Sequence, residues 1–596
     1  MSAVRPRLRL AFAGTVMALV APSAVIAQVS APTPTTREEL RRDQLDQRLR
    51  SDGDAVGVAD DAIERAPCPL ADPRFADLRF TFAGADFRGL GELDPGLLAP
   101  ASQPYLGQEI PVAAICEIRD QAATILRQAG YLAAVRVPVQ EIDDGRVEFD
   151  VIIARLAQVQ VRGEAGRSAP LLQRYVDKLT AEPLFNIGQA ERYLLLARDI
   201  PGLDVRLSLQ PVGEGGVPGE VVGVFDVQRT PVTADLNLQN YGSRSVGRIG
   251  GFGRVILNGL TGLGDRTTLG LFATADCDEQ HLVQAGHEFR VGSEGLTLGT
   301  DVTYAWTKPD LPGPDPFRSE TLVTSAWAKY PLIRRQTRNL NAAIGFDLID
   351  QDTDFGATKF SRDRLRVAYA RLDYDSIDAA SLQGIGGYSP VEPKLAVAAS
   401  LEVRQGLSAF GASKGCGPAF ARCIAPGVVP PARLDADPTA FVVRAQARLD
   451  FRPTPLVLVS FQPTAQWSPD ALYSYEQISG GNYTAGRGYD PGAVIGDSGV
   501  GGKVELAFGS LVPKTPKGIA LQPYAFFDLM ATGTKNLPDD PRTISSVGGG
   551  VRATIGQQAF LDVIAAFPLE RGPLQTSRSD SRLLVNLTIQ LAPWRR

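Results

Sequence analysis

Beyond Thr230 apolar and polar residues alternate one by one. The segment Phe441–Phe451, FVVRAQARLDF, puts Phe441, Val443, Ala445, Ala447, Leu449 and Phe451 on one side and Arg444, Gln446, Arg448 and Asp450 on the other. The last such segment sets Leu583, Val585, Leu587, Ile589 and Leu591 against Asn586, Thr588 and Gln590. Alternation sustained over about ten residues, with charge on the second face, suits a strand standing between lipid and a watery lumen. A soluble sandwich alternates too, but turns its charged face outward, and its apolar segments do not recur to the end of so long a chain. Segments of this kind start near residues 232, 248, 265, 280, 295, 319, 338, 363, 394, 439, 455, 500, 518, 544, 558 and 582, which predicts a sixteen-stranded antiparallel transmembrane β-barrel over 231–596. An even number leaves both ends on the periplasmic side, so connections after odd-numbered strands face outward. The long segments 411–438 and 464–498 are then extracellular, and 376–392 is a long periplasmic turn.

Upstream the period is mixed. From Arg79 to about Ala154 the order reads strand, helix, helix, strand, strand: RFTFAG, a short helix near Asp94, a longer helix from Val112 to Ala129, then YLAAVRVPVQEI and GRVEFDVIIA. The longer helix gathers Ile115, Ile118, Ala122, Ile125 and Leu126 on one face, and Gly130 is placed to stop it. Residues 156–229 repeat the order with LAQVQVRG, APLLQRYVDKL, GQAERYLLLARDI, LDVRLSLQPV and GEVVGVFDVQR. Two small βααββ domains are expected, over 67–154 and 155–230.

Before them, Thr36 and Glu39 have capping-box spacing, and Glu38 to Arg50 reads as a helix whose only apolar residues are Leu40, Leu45 and Leu49. Such a helix cannot bury itself in an oily core and suits a wet cavity, so 28–66 is expected to be a polar plug helix and a linker. Arg5, Arg7 and Arg9 ahead of the apolar run Leu10 to Val20, with small residues around Ala27, form a signal peptide over 1–27. No later segment offers the roughly 18–20 uninterrupted apolar residues of a spanning helix.

Composition narrows the function. The leader takes three arginines and no acid with it, moving the formal net charge from −5 to −8, against the basic face a nucleic-acid partner requires. Of five cysteines, spacing in an oxidising compartment pairs Cys68 with Cys116 and Cys416 with Cys423, leaving Cys277 odd. His281 and His287 are the only imidazoles and no Cys-x-x-Cys exists, so no metal or other cofactor is expected.

One stretch, ISGGNYTAGRGYDPGAVIGDSG over 478–499, carries two candidate motifs. Gly496 to Gly499, G-D-S-G, is half of a serine-protease signature, but Ser498 is followed by Gly-Val-Gly, and both histidines sit in CDEQHLVQAGHEF, no setting for a catalytic base. A secreted protease using Ser498 is therefore the weaker reading. The other motif is Gly486-Arg487-Gly488-Tyr489, with Phe526-Phe527-Asp528 in LQPYAFFDLM downstream. With the leader, the two βααββ modules and the sixteen strands, these residues resemble the outer-membrane transporters of two-partner secretion, the TpsB type or ShlB/FhaC/HecB haemolysin secretion/activation family. The resemblance implies that the modules are POTRA domains and that Cys68 and Cys116 fall where a POTRA disulfide is common. It further implies that DIPGLDV at Asp199 to Val205 is the second POTRA's helix-to-strand junction and that NGLTGLGD, Asn258 to Asp265, is the first periplasmic turn. By the same resemblance the loop 464–498 folds inward, its tip Gly486 to Tyr489 meeting Phe526 and Asp528 on the barrel wall. Gly486 replaces the family's usual valine, and the chain ends in APWRR instead of a terminal aromatic. The implied activity is non-enzymatic export of a large β-rich exoprotein bound through the POTRA domains, with outer-membrane lipid, periplasmic chaperones and the barrel assembly machinery as further partners. An assembly insertase of the same superfamily is the alternative, typically with more POTRA modules, whereas a porin leaves residues 79–229 without a purpose. No Walker A pattern exists, so transport is expected to be drawn by folding outside.

Overall fold

The computed structural model describes residues 36–40, 68–181, 184–211, 219–310, 316–536, 542–572 and 580–593. The leader 1–27, helix residues 41–50, the linker 51–66 and the last three residues lie outside them. Helix α1 (Arg37–Leu40) starts as its capping box requires: Thr36 N donates to Glu39 Oε2 at 2.8 Å and Glu39 N to Thr36 Oγ1 at 3.3 Å.

In the first small domain the expected strand RFTFAG is broken in two. Phe82 turns fully into the core, so β1 (Arg79–Thr81) leaves to pair with β3 (Glu109–Pro111), while β2 (Gly84–Arg88) joins the main sheet. That sheet has the order β2, β5 (Arg146–Ile153), β4 (Ala133–Arg136), with β2 parallel to β5. A short helical stretch follows Asp94 and includes α2 (Ala99–Ser102). The packing helix α3 (Ala114–Gln128) buries Ile115, Ile118, Ala122 and Leu126, leaving Ile125 partly exposed. Cys116 on α3 is disulfide-bonded to Cys68. The second domain repeats the plan with β6 (Arg155–Gly163), α4 (Ala169–Thr180), α5 (Ile187–Arg198), β7 (Leu203–Pro211) and β8 (Glu220–Arg229), in sheet order β6, β8, β7. Tyr175 and Phe225 are fully buried at its centre.

The barrel opens with β9 (Val232–Gln239), β10 (Gly250–Asn258), β11 (Arg266–Thr274), β12 (Gln280–Val291) and β13 (Leu296–Thr307). Its strands lengthen through β14 (Phe317–Arg334), β15 (Arg338–Phe355) and β16 (Thr358–Ile377). After a short helix α6 (Ala379–Leu382) come β17 (Leu395–Gly406), β18 (Phe441–Thr454) and β19 (Val457–Trp467). A hairpin of β20 (Ile478–Gly480) and β21 (Val494–Gly496) then leaves the wall, which resumes with β22 (Ser498–Phe508), β23 (Ile519–Gly533), β24 (Arg542–Ile555), β25 (Ala559–Pro568) and β26 (Arg582–Ala592). Sixteen strands close antiparallel, β26 onto β9. The largest difference from the predicted starts is at β16, which begins at Thr358 and not near 363, because its extended pairing with β15 runs on to Phe355. Faces alternate as the pattern requires: on β23, Leu521, Phe527 and Leu529 are exposed on the outer face, while Tyr524, Phe526 and Asp528 are buried on the lumen side.

The second small domain is bolted to one rim. Asp199, after α5, grips Arg334 with both oxygens (2.7 Å to Nε and 2.7 Å to Nη2). Arg167 Nη1 donates to Leu260 O at 2.5 Å, Tyr193 Oη to Glu294 Oε1 at 3.2 Å and Gln336 N to Glu191 Oε1 at 2.6 Å. Leu260, Glu294 and Gln336 lie in the turns after β10, β12 and β14, the second, fourth and sixth barrel strands. Turns after even strands therefore share the small domains' side, as the parity requires, and the segments after β17 and β19 open on the other. Asp265, wholly buried, accepts from Leu260 N (2.9 Å), Thr261 N (2.8 Å), Thr261 Oγ1 (2.5 Å) and Gly262 N (3.2 Å). Burial pushes its carboxyl up, but these hydrogen bonds outweigh burial and hold it below the usual carboxylate range. Gly264, at φ +61°, lets α4 seat on this turn, since a Cβ there would lie 2.4 Å from Leu171 Cδ2. The long turn between β16 and β17 is fixed by Asp378, which accepts from Ser381 N (3.0 Å) and Leu395 N (2.9 Å).

Candidate functional site

The loop between β19 and β22 descends into the lumen as the β20–β21 hairpin, and its tip meets the wall. Arg487 is nine-tenths or more buried and bonds Asp528 on β23 through Nη2 (2.6 Å to Oδ1) and Nε (2.9 Å to Oδ2). Its backbone N–H adds 2.9 Å to Oδ2 and that of Gly486 adds 3.4 Å, so the carboxylate is held by the tip's main chain as well as by its charge. The remaining guanidinium nitrogen reaches Glu505 on β22 at 2.6 Å, and Arg552 on β24 approaches the other oxygen of Glu505 at 2.7 Å. The guanidinium lies 3.6 Å from the Phe526 ring centroid, a cation–π contact from the wall strand itself. Tyr489 Oη donates toward Ser545 O (3.0 Å) and Glu570 O (2.9 Å), and its ring packs with Ile478, Val494, Met530 and Ile544. Gly486 is required locally: at φ +120° a Cβ would lie 2.7 Å from Ile544 Cδ1, which accounts for glycine where the family's pattern has valine. Gly488 is pressed against Pro568 and Ser546.

G-D-S-G has a mechanical place. Asp497, fully buried, accepts from Arg433 Nη1 (2.7 Å to Oδ1 and 2.8 Å to Oδ2), Leu472 N (3.0 Å), Gln477 Nε2 (2.9 Å) and Lys535 N (2.8 Å), closing the neck of the loop. Ser498 Oγ accepts from Ser468 N at 3.0 Å. His287 Nδ1 bonds Thr267 Oγ1 at 2.9 Å and His281 stacks on Trp306, both on strands distant in the barrel order from β22. Among the described residues Ser498 thus has neither base nor orienter.

Sequence reasoning missed the loop's stem. Glu476 binds Arg404 on β17 (3.0 Å to Nε, 2.9 Å to Nη2) and Arg444 on β18 (2.7 Å). It also missed the contact of α1 with the loop: Ser479 Oγ donates to Glu38 Oε2 at 2.9 Å, Gln284 on β12 donates to Leu40 O at 2.9 Å, and Leu40 packs with Phe252, Phe272, Leu282 and Tyr473. The Cys416–Cys423 disulfide lies in the segment after β17, and Cys277 is free and exposed between β11 and β12.

A barrel of this width, carrying two βααββ domains on one rim and a polar loop fixed in its lumen, defines a POTRA-bearing transporter of the outer membrane rather than an open pore. The profile of the haemolysin secretion/activation protein family ShlB/FhaC/HecB matches residues 220–553, and that of the ShlB-type POTRA domain matches residues 80–153. The chain belongs to this family, the TpsB transporters of two-partner secretion, which export partner proteins; the barrel sits in the outer membrane with its POTRA domains in the periplasm. Two solved structures share the fold: CdiB from Escherichia coli, at 15% identity and a TM-score of 0.69, and CdiB from Acinetobacter baumannii, at 14% and 0.65. Each comparison covers 93% of this chain and 97% of the other. No curated protein sequence matches.

Proposed function

We propose that the chain exports one large, unfolded, β-rich polypeptide of haemolysin or adhesin type, and that the Arg487–Asp528 lock keeps the loop across the channel until that partner arrives. The observation that carries this reading is the buried, doubly bonded tip, since a loop tied to the wall at its deepest point obstructs the lumen without bracing the barrel's hydrogen bonding. The partner is received at the POTRA sheets by strand addition. Strand β6 is an edge, and of its nine residues only Leu156 is buried, leaving main-chain groups open to an incoming strand. Periplasmic chaperones keep the partner unfolded, and the barrel assembly machinery inserts the transporter. The chain performs no catalysis; Ser498 spans the loop neck. The test is removal of residues 79–229: the barrel is expected to insert, with export and partner binding both abolished. Export that survives this deletion refutes the POTRA role.

A further inference from the structure

The loop is fixed at two places that differ in what they leave behind on release. At the stem, Glu476 completes a cluster with Asp347 on β15, Glu402 and Arg404 on β17, and Arg444 on β18. Arg404 is 1% exposed, among the most buried large side chains. If Glu476 withdraws, Arg404 keeps Asp347 at 2.8 Å and Glu402 at 3.3 Å, and Arg444 keeps Glu402 at 3.3 Å and Gln466 at 2.8 Å. Two wall carboxylates then face two guanidiniums, so no buried charge is stranded. At the tip the balance is opposite. Withdrawal of Arg487 with its backbone strips Asp528, 0% exposed, of every bond but the Ser546 hydroxyl at 3.4 Å, and a buried unpaired carboxylate is strongly unfavourable. The stem also holds the plug: Ser479, three residues from Glu476, carries the hydrogen bond to Glu38.

The geometry points to Glu476 as a releasable latch, a second positioning residue for the loop, which lets the stem leave the β17–β18 wall and give up its hold on the resting plug helix while the Arg487–Asp528 tip stays bound. Opening therefore proceeds in an order set by charge balance, stem first and tip last. The inference rests on the loop being the channel's obstruction, and it adds a residue that the tip motif does not contain.

The test uses the full-length transporter in outer membranes, in a Cys277→Ser background, with Glu38→Cys and Ser479→Cys as a disulfide reporter of plug seating. Only assembled, heat-modifiable barrel is scored, so unfolded protein does not enter. Glu476→Gln is expected to lower the crosslinked fraction about five-fold, the factor that ~1 kcal/mol gives, and to raise open time in planar bilayers while secretion is retained. Arg487→Ala is expected to lower secretion severely. If Glu476→Gln leaves crosslinking and conductance unchanged while Arg487→Ala still impairs secretion, the latch is refuted and the loop reading stands. If Arg487→Ala also has no effect, the loop reading itself fails. A Glu476→Gln variant that loses secretion as Arg487→Ala does overturns the proposed order of release.

Discussion

Replacing either partner of the Arg487–Asp528 pair gives a quantitative expectation. Breaking a buried ion pair from one side costs about 3–5 kcal/mol, because the remaining charge is left without its partner. Here the lower end applies: after Arg487→Ala, Asp528 retains the backbone N–H groups of residues 486 and 487, and after Asp528→Ala, Arg487 retains Glu505. A loss of about 3 kcal/mol is roughly a hundredfold shift from docked to undocked loop. Both single variants should reach the outer membrane in normal amount, conduct more in planar bilayers and secrete poorly. The double variant should be little worse than either one, giving a coupling energy well above the ~0.3–0.5 kcal/mol scatter of independent sites. A charge swap should recover only part of the loss, since an arginine at 528 would face two backbone donors and an aspartate at 487 would stand against Glu505. Additive effects of the two single substitutions would refute the pairing.

Three further outcomes follow from the same structure. Cys68→Ser with Cys116→Ser should lower the stability of the first POTRA domain by about 4 kcal/mol in the chain-entropy model for a closure of 48 residues, read as increased protease susceptibility confined to 68–153. Because Asp265 is depressed in the folded state, its contribution to the POTRA–barrel joint is fully present above the ordinary carboxylate pKa of ~3.9 and fades as pH falls through its lower folded value. Hydrogen exchange at the 259–265 turn should show that loss on acidification, and Asp265→Asn should weaken the joint at neutral pH and flatten the dependence. Deleting residues 36–50 should raise conductance in planar bilayers with the barrel intact, since Leu40 and Glu38 occupy lumen space without pairing to the wall's ladder; an unchanged conductance would deny the plug.

The barrel was legible because lipid and water impose a two-residue period that survives in any single strand, as in Phe441–Phe451, and strand parity then fixed which loops face outward. The POTRA plan was legible from helix periodicity, but Phe82, inside an alternating run, gave no local sign that it would break the strand. What escaped is pairing. Arg404 and Glu476 lie 72 residues apart, and each alone reads as one more polar residue facing a wet lumen; only closure of the barrel brings β15, β17 and β18 around the loop's stem. Asp199 and Arg334, 135 residues apart, were invisible as a joint for the same reason. The tip was found because its residues form a compact motif, whereas Glu505 and Arg552 beside it belong to none.

Export itself is tested most directly by comparing surface and medium proteins from cells with the intact chain, without it, and with Arg487→Ala, at matched barrel levels. One large polypeptide is expected to disappear from the surface and medium of the second and to fall sharply in the third, held back or degraded in the periplasm, while other outer-membrane barrels keep their normal abundance. An unchanged set of surface and secreted proteins, or a general fall in outer-membrane barrels without loss of any single exported chain, would contradict this expectation.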